Sequence, residues 1–98
     1  MIVEFSAEAE RDLEQIFDYL ATGNPKRAHS FVQNLRSKCN AIAANPFAFI
    51  LLSGYESHGI RRALHKPYLI FYRVDTNRLV IIHILNGKRK YENILFEL

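Results

Sequence analysis

Arg61, Arg62, Arg73 and Arg89 are the residues through which this chain could act on a phosphodiester. Guanidinium groups stabilise the charge that builds on a phosphorane-like transition state, and they also grip phosphates without reacting. Cleaving RNA through its 2′-oxygen needs more: one group to accept that proton and another to protonate the leaving oxygen. Candidates for those two roles are thin. His83 falls inside the apolar run Leu79–Leu85, where a histidine is more often a hydrogen-bonded structural residue than a base. His65, beside Lys66, reads as a surface histidine, and no histidine follows His83. The sequence has the electrostatics of a nucleic-acid-binding face without an acid–base pair.

The arginines belong to a wider accumulation of charge. Of the 13 Lys and Arg residues, eight lie between Arg61 and Lys90, against the single acid Asp75, a local balance of 8 − 1 = +7. Residues 1–60 hold five Lys/Arg and seven Asp/Glu, whereas residues 61–98 hold eight and three, so the halves carry −2 and +5 and sum to the net charge of +3. A chain divided in this way points to an acidic or polyanionic partner for its C-terminal half. Basic residues also line ordinary solvated sheet edges, where they discourage aggregation. Two clusters, Arg61–Arg62–Lys66 and Lys88–Arg89–Lys90, fall at turns of one small sheet, and that favours contact with a partner.

The elements that must position these residues follow from periodicity. Ile2–Phe5 is rich in strand formers. Ser6 offers an N-cap, Glu8 and Glu10 suit the first turn of a helix, and Ala9, Leu13, Ile16, Phe17 and Leu20 form one apolar stripe. Glu10, Asp12, Glu14 and Asp18 fall largely off that stripe and read as a solvated face. After Gly23, Asn24-Pro25 restarts the chain as a second helix with the stripe Ala28, Phe31, Val32, Leu35, Cys39 and Ile42, ending at Asn45-Pro46. The short link makes the two helices an antiparallel hairpin that needs a sheet to cover.

Phe47–Leu52 reads as a buried apolar connection and Gly54–Gly59 as a polar loop. Three strands follow, the last apolar on both faces and therefore central, with Pro67 and Asp75–Arg78 at the turns. Arg73 shares a side with Leu69 and Phe71, so it sits at the strand's wet end or has a partner. Tyr68, Phe71 and Tyr72 are mostly core by alternation, although a ring on an open face could stack on a base. Asn86-Gly87 turns the chain into a short C-terminal segment in which Tyr91, Ile94 and Leu95 favour helix over strand. The order β-α-α-β-β-β gives an α+β two-layer sandwich, a helical hairpin on a mainly antiparallel sheet, in one domain spanning residues 1–98.

Composition narrows the class further. Apolar residues at 49% and charged residues at 23% are ordinary globular values. The single cysteine, Cys39, excludes an internal disulfide and fits no zinc spacing with the histidines; no metal or other cofactor is expected. There is no signal-peptide pattern and no apolar run near the ~18 residues of a membrane span, which points to the cytoplasm.

Six pieces of this chain together resemble the RelE/ParE superfamily of bacterial toxins from type II toxin–antitoxin modules. They are Asp12-Leu13-x-x-Ile16-x-x-Tyr19, Pro25-x-x-Ala28, Asn45-Pro46, Gly59-Ile60-Arg61-Arg62, Tyr68–Val74 and Ile84-Leu85-Asn86-Gly87-Lys88-Arg89. The resemblance covers essentially the whole length and implies the same β-α-α-β-β-β sandwich. Two activities occur in the superfamily: RelE-like members cut messenger RNA in the ribosomal decoding site, and ParE-like members poison DNA gyrase. Both are neutralised by an antitoxin whose tail wraps the toxin and whose other end binds operator DNA.

The long helices, Tyr19, the Pro25 start and Tyr68–Val74 look closer to ParE. The ParE-like ending His-Gly-Arg-Arg-Asp is here Asn86-Gly87-Lys88-Arg89-Lys90, which departs at its first and last positions. RelE-like enzymes carry a tyrosine about six residues beyond the Gly-Lys-Arg arginine; Leu95 stands there, and Tyr91 comes early. The resemblance thus implies a gyrase-binding toxin that is not itself a hydrolytic enzyme. Its partners would be a cognate antitoxin and gyrase, with operator DNA reached only through the antitoxin and no membrane. The binding residues would be Arg61, Arg62, Lys66, Arg73, Lys88, Arg89 and Lys90. One alternative is a RelE-like, ribosome-dependent endoribonuclease using Arg62, Arg73, Arg89 and Tyr91. Another is an inactive toxin retained as an antitoxin-binding module. Apolar residues at the edge of the helical hairpin, with Phe47–Leu52, offer a groove for an antitoxin's apolar tail.

Overall fold

The computed structural model describes residues 1–95. In chain order it has strand β1 (Ile2–Phe5), helices α1 (Ala7–Ala21) and α2 (Pro25–Ile42), strands β2 (Arg61–His65), β3 (Tyr68–Asp75) and β4 (Arg78–Asn86), and helix α3 (Tyr91–Leu95). The strands form one sheet in the order β1-β4-β3-β2. β1 runs parallel to β4, and the other pairings are antiparallel. This is the expected α+β arrangement, with β3 and β4 central. The C-terminal segment is helical as far as Leu95; its end, residues 96–98, lies outside the described residues.

Both long helices begin where their caps dictate. The Ser6 hydroxyl accepts the Ala9 N–H at 3.0 Å, and the Asn24 side chain accepts the Arg27 N–H at 3.1 Å ahead of Pro25. Ala9, Leu13 and Ile16 of α1 and Leu35, Cys39 and Ile42 of α2 are buried against Tyr68, Ile70, Tyr72, Leu79, Ile81 and Ile84 on one face of the sheet. Arg36 clasps the Glu10 carboxylate with both terminal nitrogens, at 2.9 and 3.0 Å, and so ties α2 to α1.

The opposite face of the sheet is also covered. Leu52, Ile60, Phe71, Ile82, Leu85 and Leu95 form a second, smaller core, with Tyr55, Tyr91 and Ile94 packed on it. The connection between α2 and β2, together with α3, makes this partial third layer. That connection differs from expectation: only Leu52 of the Phe47–Leu52 run is buried, whereas Phe47 and Ile50 are both 63% exposed. It runs along the outer edge of β2, where Leu51 bridges to Arg61 and the Arg62 N–H donates to Ile50 O at 3.1 Å, so part of its residues turn to water.

β4 departs from regular pairing. Phe71 lies opposite His83 but Tyr72 lies opposite Ile81, so Ile82 is an extra residue, a β-bulge. β1 ends at Phe5, opposite Ile81, and leaves the backbone beyond it without a strand on that side. The start of α1 fills the gap. Ser6 N–H donates to Ile81 O at 3.0 Å, and its hydroxyl donates to Ile82 O at 2.7 Å. Asp12 Oδ2 accepts the Ile84 N–H at 2.9 Å and lies 2.7 Å from His83 Nδ1. These contacts supply the partners that buried backbone groups require. Asp12 is therefore not part of a solvated face; it joins α1 to the sheet.

Candidate functional site

The basic residues separate into groups with different surroundings. Lys66 lies in the β2–β3 turn, and Lys88, Arg89 and Lys90 follow β4. Tyr68 pairs with Asn86, and Gly87 N–H donates to Pro67 O at 2.9 Å, so these four exposed cations share one end of the sheet. None of them forms an ion pair with a described residue.

Arg61 and Arg73 are committed elsewhere. Arg61 donates to Phe49 O at 2.7 Å and Phe47 O at 3.4 Å, with its guanidinium 5.2 Å from the Phe47 ring centre. It pins the connection along the edge of β2. Arg73 pairs with Asp75 at 3.1 Å, near the opposite end of the sheet, and Arg78 there bonds Glu4 at 2.8 Å. Arg73 has the partner that its place on an apolar face required.

Two cavities matter for chemistry. One, of ≈ 260 Å³, lies on the α3 side and is lined in part by Leu52, Ser53, Tyr55, Arg62, Tyr91 and Glu92. The other, of ≈ 380 Å³, lies between α1 and the end of the sheet that carries the four cations. It is lined by Asp12, Gln15, Ile16, Tyr19, Tyr68, Ile84, Asn86 and Arg89. Of the four residues implied for ribonuclease chemistry, Arg62 lies opposite Phe71, two residues before Arg73 on β3, and the Tyr91 ring lies 5.0 Å from that of Phe71. Arg62 and Tyr91 share the first cavity, Arg89 lines the second, and Arg73 holds Asp75.

In the larger cavity Tyr68 is buried and packs edge-on against Phe31, their ring centres 5.7 Å apart. Burial, and secondarily the neighbouring Tyr19 phenol, push the Tyr68 hydroxyl above the usual tyrosine range, so it stays protonated at neutral pH. Tyr19 is 74% exposed at the rim. His83 does not line this cavity; its side chain is 11% exposed and held by Asp12. His65 packs edge-on to Phe31 at 5.5 Å. Among the described residues no group of three or more His, Cys, Asp or Glu could hold a metal.

Asp12, Gln15 and Asn86 were absent from the expected binding set. Their signal was faint but present: Asp12, Gln15, Ile16 and Tyr19 recur at helical spacing along one flank of α1, next to its apolar stripe.

A helical hairpin on a four-stranded sheet, with cations gathered at one end, defines a small α+β protein. The chain belongs to the ParE toxin family: the family described as "ParE toxin of type II toxin-antitoxin system, parDE" matches residues 3–91. A solved chain described as "Chromosomal ParDE TA system from P. aeruginosa" has the same fold, with a TM-score of 0.74 and 24% identity, covering 88% of this chain and 95% of that one. No curated protein matches significantly. No helix among the described residues is long and apolar enough to cross a membrane.

Proposed function

We propose that this chain is a cytoplasmic, single-domain toxin that inhibits DNA gyrase by binding it and is neutralised by a cognate antitoxin. The observation that carries the reading is the group Lys66, Lys88, Arg89 and Lys90, exposed at one end of the sheet without ion-pair partners among the described residues. Charge placed in this way costs no folding contact and is available to an acidic surface. Arg62 adds a cation on the α3 side, while Arg61 donates to the Phe49 and Phe47 carbonyls and Arg73 pairs with Asp75.

The antitoxin has a second surface available. Phe47, Ile50, Leu51 and Leu64 are exposed apolar residues on or beside edge strand β2. Such a patch suits the apolar tail of a partner, and operator DNA would be reached only through that partner. The test is a supercoiling assay with purified gyrase, run beside ribosomes translating a defined mRNA. Loss of supercoiling or trapped cleaved DNA is expected, and addition of the antitoxin should reverse it. Site-specific mRNA cuts with unaffected gyrase would replace this reading with the endoribonuclease. Inactivity in both assays with antitoxin binding intact would leave a binding module.

A further inference from the structure

We propose that the cavity between α1 and the Asn86 end of the sheet is a nucleotide site, with an amino-bearing base toward Asp12 and a phosphate on Arg89. The inference uses Arg89 from the docking end described above but does not depend on which macromolecule the toxin targets. It rests on a juxtaposition of opposite charges across one small, partly aromatic cavity.

At ≈ 380 Å³ the cavity falls within the range of small-molecule sites, about 300–1,000 Å³. Ile16 and Ile84 give it apolar surface, and Tyr19 and Tyr68 give it two phenol rings. Arg89 lines it, and Lys66, Lys88 and Lys90 lie at the same end of the sheet. Such a rim favours an anion.

Asp12 lies in the same lining with its side chain only 12% exposed. Oδ2 takes both of its contacts, to His83 and Ile84, and Oδ1 has no hydrogen-bond partner among the described residues. The two contacts fix the carboxylate before any ligand arrives, so orienting it carries little further entropic cost.

These features together select the ligand. A carboxylate in the wall disfavours an acidic side chain or peptide terminus and favours a hydrogen-bond donor. The cations favour an anion, and the space between them favours a flat, partly apolar body. A nucleotide whose base carries an exocyclic amine meets all three demands, with the Gln15 and Asn86 amides able to donate or accept along the base edge. An acidic peptide satisfies only the cations. Lys66, Lys88 and Lys90 give neighbouring phosphates a place, which favours a nucleotide within a single strand.

Cytosine and thymine separate the idea from general electrostatics, because they are similar in size but only cytosine has an amine. Fluorescence anisotropy with labelled single strands of about twelve nucleotides, dC or dT, measures the preference. Tighter binding of dC is expected, with Tyr19→Ala and Arg89→Gln each weakening it about tenfold. Both residues are exposed, so folding is retained, and circular dichroism checks it. Competition by free CMP would extend the site to mononucleotides; no competition, with the variant effects intact, would assign it to strands.

Equal affinity for dC and dT, or binding that Lys66→Gln weakens and Tyr19→Ala does not, would overturn the proposal in favour of unspecific attraction. Absence of binding by either strand, with an acidic peptide bound through Arg89, would overturn it in favour of a protein partner. A chain that prefers dC but leaves gyrase unaffected keeps the nucleotide site and loses the gyrase reading.

Discussion

Asp12 is one of five acids of α1, yet it alone serves the sheet. Its carboxylate receives the Ile84 N–H and faces His83 because β4 has an extra residue and β1 is too short to pair beside it. Asp12→Ala would leave both groups without that partner in a buried setting and should cost about 2–4 kcal/mol in urea unfolding. Asp12→Asn retains an acceptor and should cost less than half as much; equal losses would show that the hydrogen bonds are not what matters. This role was not legible in the sequence. An acid off the apolar stripe reads as solvated, and an unbroken run from Leu79 to Ile82 hides a bulge, since alternation is visible only when polar residues mark it.

Cys39 is the opposite case, a small residue on the α2 stripe that proves to be core. Burial pushes its thiol from the ordinary 9.0 up to about 12, with Arg36 and Lys38 pulling weakly the other way. Since the folded value is the raised one, Cys39 favours folding below pH 9 and loses that contribution as pH rises toward 12. The unfolding midpoint should therefore fall across that window, more steeply in the natural chain than in Cys39→Ala. The thiol should also resist a disulfide reagent until the protein unfolds.

At the scale of elements, the stripes and caps of α1 and α2 made the hairpin legible, because a 3.6-residue period has one geometric meaning. The connection after α2 was harder. Six apolar residues in a row suggest burial, but the segment is irregular and runs along the outer edge of β2, and Phe47, Ile50 and Leu51 turn to water. What holds the segment is polar: the Arg61 guanidinium on the Phe49 and Phe47 carbonyls, and the Tyr72 hydroxyl on the Pro46 carbonyl. Arg61→Ala should speed proteolysis within residues 46–51 and cost about 1–3 kcal/mol. Arg61→Lys should recover little, since one ammonium does not reproduce the planar fork over the ring. If cleavage of this segment is unchanged in Arg61→Ala, Arg61 is free for partners after all.

Across the whole molecule the two ends of the sheet carry cations with opposite uses. At the Asp75 end, Arg73 and Arg78 are matched by Asp75 and Glu4, so little net field leaves the surface. At the Asn86 end, Lys66, Lys88, Arg89 and Lys90 have no such match among the described residues, and that end dominates the field at long range. The sequence showed the surplus of charge but not its division, because pairing across strands depends on register. Reversing Lys88, Arg89 and Lys90 to Glu takes the net charge from +3 to −3, that is 3 − 6. These residues are exposed and have no ion-pair partner among the described residues, so stability should change by less than about 0.5 kcal/mol. Association with the antitoxin or gyrase should slow by about tenfold or more at low salt, and its dependence on ionic strength should flatten. Arg78→Glu should do the reverse, losing up to about 1 kcal/mol of stability through its surface pairs while leaving association nearly unchanged. Stopped-flow association at two ionic strengths, set beside urea unfolding of each variant, separates the cases. Equal effects of the two ends on association would mean that net charge, rather than its location, governs docking.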